Sequence, residues 1–183
     1  TDGPILILAG PGSGKTRVIT YKIAYLLEQN KAKPWEILAI TFTNKAAKEM
    51  KVRLENLIEE DIRSMQISTF HSFGLRILKE NNEFFGLNRN FTILDETDSI
   101  SVIKKILKEM NLDDKQYNPR SIKHKISSAK NELIDAKKFK IYAKTYIDEN
   151  VAKVYEKYQE RLKRNSTVDF DDLLLLPIKL FKE

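Results

Sequence analysis

Ile5-Leu6-Ile7-Leu8-Ala9-Gly10-Pro11-Gly12-Ser13-Gly14-Lys15-Thr16 is the stretch whose reading decides the fold. An apolar run leads into glycines at alternate positions, then Lys-Thr, then a segment with helical spacing. Strand, glycine turn and helix start together are the setting of a phosphate-binding loop. The glycines let backbone N–H groups face inward around phosphates, and the helix adds its positive N-terminal end. Residues 9–17 are therefore the candidate nucleotide-binding residues: Ala9, Gly10, Pro11, Gly12, Ser13, Gly14, Lys15, Thr16 and Arg17. Lys15 is placed to reach the β and γ phosphates and the Thr16 hydroxyl to ligate Mg²⁺, so the expected cofactors are a nucleoside triphosphate and Mg²⁺.

Outward from the loop, residues 4–9 read as a central parallel strand, apolar on both faces. A helix over 16–29 follows, with Val18, Ile19, Ile23, Leu26 and Leu27 on its buried side. Pro34 marks a turn, 37–42 reads as a second buried strand, 44–60 as a helix, 65–69 as a third strand and 72–79 as a helix. That alternation specifies an α/β fold, a parallel sheet with ligands at the carboxyl ends of its strands. Past Asp95 glycine disappears and helical spacing dominates, with helices expected at 96–110, 119–132, 136–145 and 148–164. Asp95 and Asn118-Pro119 are helix-start signals. A last apolar helical segment covers 173–181, and Pro177 is expected to kink or end it.

Composition narrows the function classes. The 183 residues include no cysteine and two histidines, which removes disulfides and thiolate sites and disfavours structural zinc. The longest apolar runs are far too short to span a bilayer, so a soluble, cytoplasmic protein without membrane attachment is expected. Residues 101–165 carry 17 Lys plus Arg against 9 Asp plus Glu, whereas the remainder is slightly acidic. A basic segment joined to a nucleotide-binding one suggests a polyanionic second partner.

Two polar–aromatic clusters occupy the ends of the second and third strands. Thr41, Phe42, Thr43 and Asn44 form the first, and Thr69, Phe70 and His71 the second. Hydroxyls, an amide and helix-start N–H groups suit a phosphate backbone, and an aromatic face suits a base. A core phenylalanine beside a polar helix cap accounts for the same spacing, and His71 fits either a phosphate contact or a cap. Arg17 fits a nucleobase, a carboxylate or a solvated first turn. Asp169, Asp171 and Asp172 resemble a metal cluster, yet before an apolar helix they also read as caps and first-turn acids. No apolar strand ends in the Asp-Glu pair that a phosphate-loop enzyme uses for Mg²⁺, so the chain reads as a piece of a larger enzyme. From these residues alone a small-molecule or nucleotide kinase and a non-catalytic DNA-binding module are the alternatives to a DNA motor.

Taken in order, residues 9–16, Ile37 to Ala47, Ser68 to Phe73, Asn88 to Asp95 and Val168 to Leu174 resemble the N-terminal part of superfamily 1 DNA helicases of the UvrD/Rep/PcrA type. The resemblance covers essentially the whole chain. It implies a RecA-like P-loop NTPase domain 1A over 1–94, a mostly helical inserted second domain 1B over 95–165, and a return into 1A over 166–183. It also implies ATP-driven 3′ to 5′ translocation on single-stranded DNA with duplex unwinding, and a partner motor domain that supplies an arginine finger. Arg17 then matches a residue near adenine, Phe42 one that stacks on a base, and Thr43, Asn44 and 69–71 positions along the DNA path. Lys123, Lys125 and Lys130 are implied as candidates to meet duplex DNA. The adenine-reading glutamine, the Asp-Glu strand and the coupling glutamine of that family are absent, so the chain alone is expected to bind nucleotide without turning it over.

Overall fold

The computed structural model describes residues 3–10, 12–59 and 61–182. The chain divides into two compact units, the first ending at Phe73 and the second beginning at Gly74. Helices dominate, and each unit contains one small parallel sheet of two strands.

In the first unit the helix after the glycine turn is α1, Lys15–Glu28. Asn30 ends it in the left-handed region (φ 52°), returning its N–H to the Leu27 carbonyl at 2.8 Å, a conformation asparagine tolerates better than most side chains. After a 3-10 turn at Pro34–Glu36 come β1, Leu38–Thr41, then α2, Asn44–Glu55, and β2, Gln66–Thr69. The strands are parallel and in register from Leu38 opposite Gln66 to Thr41 opposite Thr69. Ile23, Ala24 and Leu27 of α1 and Met50 and Leu54 of α2 form the core with Ala39, Ile58, Ile62 and Met65.

Two expectations fail here. Residues 4–9 are not a strand: they are irregular, and Leu6 and Leu8 are more than four-fifths exposed. A strand apolar on both faces requires neighbours along both edges, and β1 and β2 pair only with each other among the described residues. Val18 and Ile19, expected to be buried, are exposed. In this unit the expected parallel sheet is thus reduced, among the described residues, to the pair β1 and β2.

The helix α3, Phe70–Glu80, runs across the division between the units. The second unit continues with β3, Thr92–Leu94, and then α4, Glu96–Glu109, α5, Pro119–Asn131, α6, Ala136–Tyr142, and α7, Tyr146–Arg164. All four of these helices are capped by the side chain that precedes them: Asp95, Asn118, Asp135 and Thr145 each accept a first-turn N–H. Such caps contribute about 1 kcal/mol each and explain why these helices are legible in sequence. The chain then returns as β4, Thr167–Asp169, parallel to β3, and ends in α8, Asp172–Leu180. These two short strands were not foreseen, since three-residue ladders carry no readable alternation.

Helices α4, α5 and α7 share a core of Ile103, Ile106, Leu107, Ile126, Val154, Tyr155 and Tyr158, with Ala136 and Phe139 of α6 packed against it. A separate cluster of Leu78, Leu87, Val168 and Leu173 lies under β4 and α8. Pro177 lies inside α8 and does not end it. Its ring lacks the N–H that would bond the Leu173 carbonyl one turn back, and that carbonyl faces Gly74 of α3. A Cβ at Gly74 would collide with the Leu173 oxygen and stand 2.9 Å from its carbonyl carbon.

Candidate functional site

The glycine turn is shaped by its own backbone. Gly12 and Gly14 take positive φ of 72° and 84°, where any other residue would be strained. The Ser13 hydroxyl donates to the Gly10 carbonyl at 2.6 Å, and the Lys15 ammonium donates to the carbonyls of Ala9 at 3.0 Å and Gly10 at 2.5 Å. A cation is therefore folded over the mouth of the turn. Thr16 is half-buried behind it, and Pro11 lies outside the described residues.

The start of α1 differs from every capped helix above. Its N-cap is Gly14, with no side-chain hydrogen bond and no acid in the first turn. First-turn N–H groups without a cap, beside a lysine, are what an anion needs. Triphosphate fits that donor set, and the Thr16 hydroxyl is the available oxygen for a hard cation. Among the described residues no group of three or more His, Cys, Asp or Glu could hold a metal. Arg17 lies over the Tyr21 ring at 5.5 Å from its centroid, so a flat aromatic–cationic surface stands one turn into the helix.

At the carboxyl ends of β1 and β2 the register places Thr41 opposite Thr69. The next residue of each strand, Phe42 and Phe70, therefore emerges at the same edge. Phe42 is 91% exposed and Phe70 47%, with ring centroids 5.8 Å apart at a 52° tilt. The core-phenylalanine reading of Phe42 is excluded by that exposure. The hydroxyls beneath the rings shape the turns: Thr41 Oγ1 donates to the Thr43 carbonyl at 3.0 Å, and Thr43 Oγ1 accepts the Ala46 N–H at 3.1 Å. Thr69 Oγ1 accepts the Ser72 N–H at 3.2 Å and donates to the Ser72 hydroxyl at 2.9 Å. Asn44 and His71 are exposed beside the rings.

Phe170 was not singled out from sequence. It follows β4 as Phe42 follows β1 and Phe70 follows β2, and it is half-exposed. The signal was a repeated polar–aromatic step at a strand end, invisible until β4 is known to be a strand.

Of the lysines implied for duplex contact, Lys130 needs correction, while Lys123 and Lys125 are ion-paired. Lys130 is 1% exposed, and its ammonium bonds both carboxylate oxygens of Asp169 at 2.9 Å and Asp172 at 2.8 Å. Lys123 is committed to Asp171 at 2.7 Å, and Lys125 to Asp148 at 2.9 Å. Asp169, Asp171 and Asp172 are therefore ion-paired rather than metal-binding. Asp169 also serves as a cap, accepting the Asp172 N–H at 3.0 Å. Burial pushes the Asp172 carboxyl up to about 6 against the pull of Lys130. Burial also presses Asp169 upward, but Lys130 prevails and holds it below the ordinary carboxylate value. For Lys130, burial alone would favour the neutral amine, and the two carboxylates override it and raise its pKa.

A family profile described as the UvrD/REP helicase N-terminal domain matches residues 1–183. The chain belongs to the UvrD/REP helicase N-terminal domain family. It is 55% identical over 181 residues to the ATP-dependent DNA helicase PcrA of Bacillus subtilis (strain 168), covering 99% of this chain and 24% of that protein. It is 50% identical over 182 residues to the PcrA of Staphylococcus epidermidis (strain RP62A), covering 100% of this chain and 25% of the relative. Against the PcrA of Leuconostoc citreum it is 48% identical over 183 residues, covering 100% of this chain and 24% of that protein. The chain spans about a quarter of the length of these relatives. Membership in this family implies a RecA-like fold, of which the described sheets are a small part, and it sets aside the kinase reading. No helix among the described residues is long and apolar enough to cross a membrane.

Proposed function

We propose that the chain is the N-terminal nucleotide- and DNA-handling segment of an ATP-dependent DNA helicase that moves 3′ to 5′ on single-stranded DNA and unwinds duplex. Residues 1–94 are the first part of a RecA-like motor domain, 95–165 its helical insertion and 166–183 the return into it. The observation that carries this reading is the exposed Phe42–Phe70 pair at the carboxyl ends of adjacent parallel strands, whose aromatic faces suit stacking on bases. The naming of the relatives as ATP-dependent DNA helicases supports it.

In this reading the first-turn amides of α1 and Lys15 hold the phosphates, Thr16 contributes an oxygen to Mg²⁺, and Arg17 with Tyr21 faces the nucleotide base. ATP with Mg²⁺ supplies the free energy of phosphoryl transfer. Phe42 and Phe70 stack bases, Thr41, Thr43 and Thr69 hold the turns in shape, and Asn44 and His71 face the DNA backbone. Phe170 offers a further ring. The partners are single-stranded DNA, its junction with duplex, and a second motor domain elsewhere in the parent. The setting is the cytoplasm, in replication or repair.

Binding of a short single strand to the full-length parent tests the reading. Phe42→Ala is expected to weaken binding by about 1–3 kcal/mol per stacked base, with nucleotide affinity unchanged. DNA affinity equal to that of wild type in both Phe42→Ala and Phe70→Ala removes the stacking role.

A further inference from the structure

The helical insertion leaves from the end of β3 and returns at β4, its paired neighbour. The strands are parallel, so the chain leaves at the carboxyl end of β3 and re-enters at the amino end of β4, and this three-residue ladder is the base for the four helices. The apolar clusters do not merge across that base: one core belongs to α4, α5 and α7, with Leu94 of β3 packed against it, and the other lies under β4 and α8. What joins α5 to the base is polar. Lys123, Ser127 and Lys130 lie three and four residues apart on one face of α5 and meet Asp171, Asp169 and Asp172. Tyr158 of α7 enters the same cluster, donating its hydroxyl to Asp169 at 3.0 Å. Asp169 and Asp172 are thus held by α5, by α7 and by each other's backbone N–H groups.

Apolar packing is non-directional and tolerates sliding. A buried lysine shared by two carboxylates tolerates neither sliding nor tilting, because an uncompensated buried charge is costly. We propose that the cluster of Lys130, Lys123 and Ser127 with Asp169, Asp171 and Asp172 is a latch that fixes the helical insertion in one orientation on β4 and α8, and that Lys130 is a positioning residue for strand separation. This rests on the helicase reading. An insertion held rigidly can bear against duplex while the base moves; one that tilts lets the motor run without separating strands. The bonded residues lie 39–48 positions apart in sequence, so each bond is a long-range constraint.

The test uses the full-length parent in a background otherwise free of cysteine, with spin labels at Lys140 in α6 and Lys179 in α8, both exposed. Wild type is expected to give one narrow distance, and Lys130→Met a broadened one. Single-strand-stimulated ATP hydrolysis should stay within about twofold while duplex unwinding falls at least about tenfold. Asp171→Asn, which removes the charge that Lys123 and Ser127 meet at the rim and leaves the bonds of Lys130 in place, should show the same split to a smaller degree and covers the case in which Lys130→Met does not fold. An unbroadened distance in the folded variants, or hydrolysis and unwinding falling by equal factors, overturns the latch. If wild type itself neither hydrolyses ATP on DNA nor unwinds, the helicase reading fails, whereas the label distances still decide whether the latch fixes orientation.

Discussion

Lys15 and Phe42 illustrate two kinds of residue whose roles are read differently. Lys15 follows a glycine turn and was legible from spacing alone, because the turn geometry depends on residues within a few positions of it. Lys15→Ala in the full-length parent is expected to weaken ATP binding by about 1.5–3 kcal/mol, the worth of a hydrogen bond to a charged group, while leaving single-strand binding without nucleotide unchanged; calorimetric titration with each ligand checks both. Phe42 was ambiguous, since an apolar residue at the end of an apolar strand is equally at home in a core. Its exposure and its partner Phe70 settle the packing question, and neither is a local property. Lys130 is the opposite case. A lysine on an amphipathic helix reads as a solvated or DNA-facing charge, and only the fold reveals Asp169 and Asp172 beside it.

The helix pair α3 and α8 shows what one missing side chain and one missing N–H can do together. Pro177 leaves the Leu173 carbonyl without its helical partner, and Gly74 gives that oxygen room to approach α3. The obstacle to a larger residue is backbone, which cannot rotate away. Gly74→Ala should therefore destabilise the protein by about 1–3 kcal/mol or more, read as a lower urea midpoint at unchanged slope. Between α5 and α8, the ion cluster gives stability a pH dependence whose sign differs by residue. Asp172, raised to about 6, contributes stability that is full below its unfolded value and lost as pH rises through 6. Asp169, held below its ordinary value by Lys130, contributes stability present above that value and lost as pH falls. Asp172→Asn removes only the first term, so the variant's stability relative to wild type should improve from pH 4 to pH 7 by up to about 3 kcal/mol. Urea denaturation of both proteins across that range checks it; a difference that is flat or declines with pH refutes the assignment. Helix starts at this scale were legible at Asp95 and Asn118, which act on amides two or three residues away, whereas Thr145, read as the last residue of a helix over 136–145, caps the next helix, and β3 and β4 were not foreseen.

At the scale of the whole molecule, the 183 residues span about a quarter of their relatives, and Ile5 to Leu8 are exposed in an irregular segment. In the full-length parent, amide exchange at residues 5–8 should slow by orders of magnitude as this segment gains strand neighbours; unprotected amides there refute the expectation of a central strand. The 183-residue chain alone is expected to release no phosphate above background even with single-stranded DNA, since an arginine finger by itself contributes about 10³–10⁵ in rate in phosphoryl transfer. The sequence by itself determined the glycine turn, the helices that start after Asp95 and Asn118, the strand–helix succession from Leu38 to Glu80 and the family, because each of these is written in residues close together or in an ordered series of motifs. Only the tertiary structure decided that Phe42 and Phe70 share an exposed edge, that the acids after β4 face lysines of α5, and that the first apolar run lies outside the small sheets. Those outcomes depend on strand register and on pairing between residues tens of positions apart, and spacing along the chain carries no record of either.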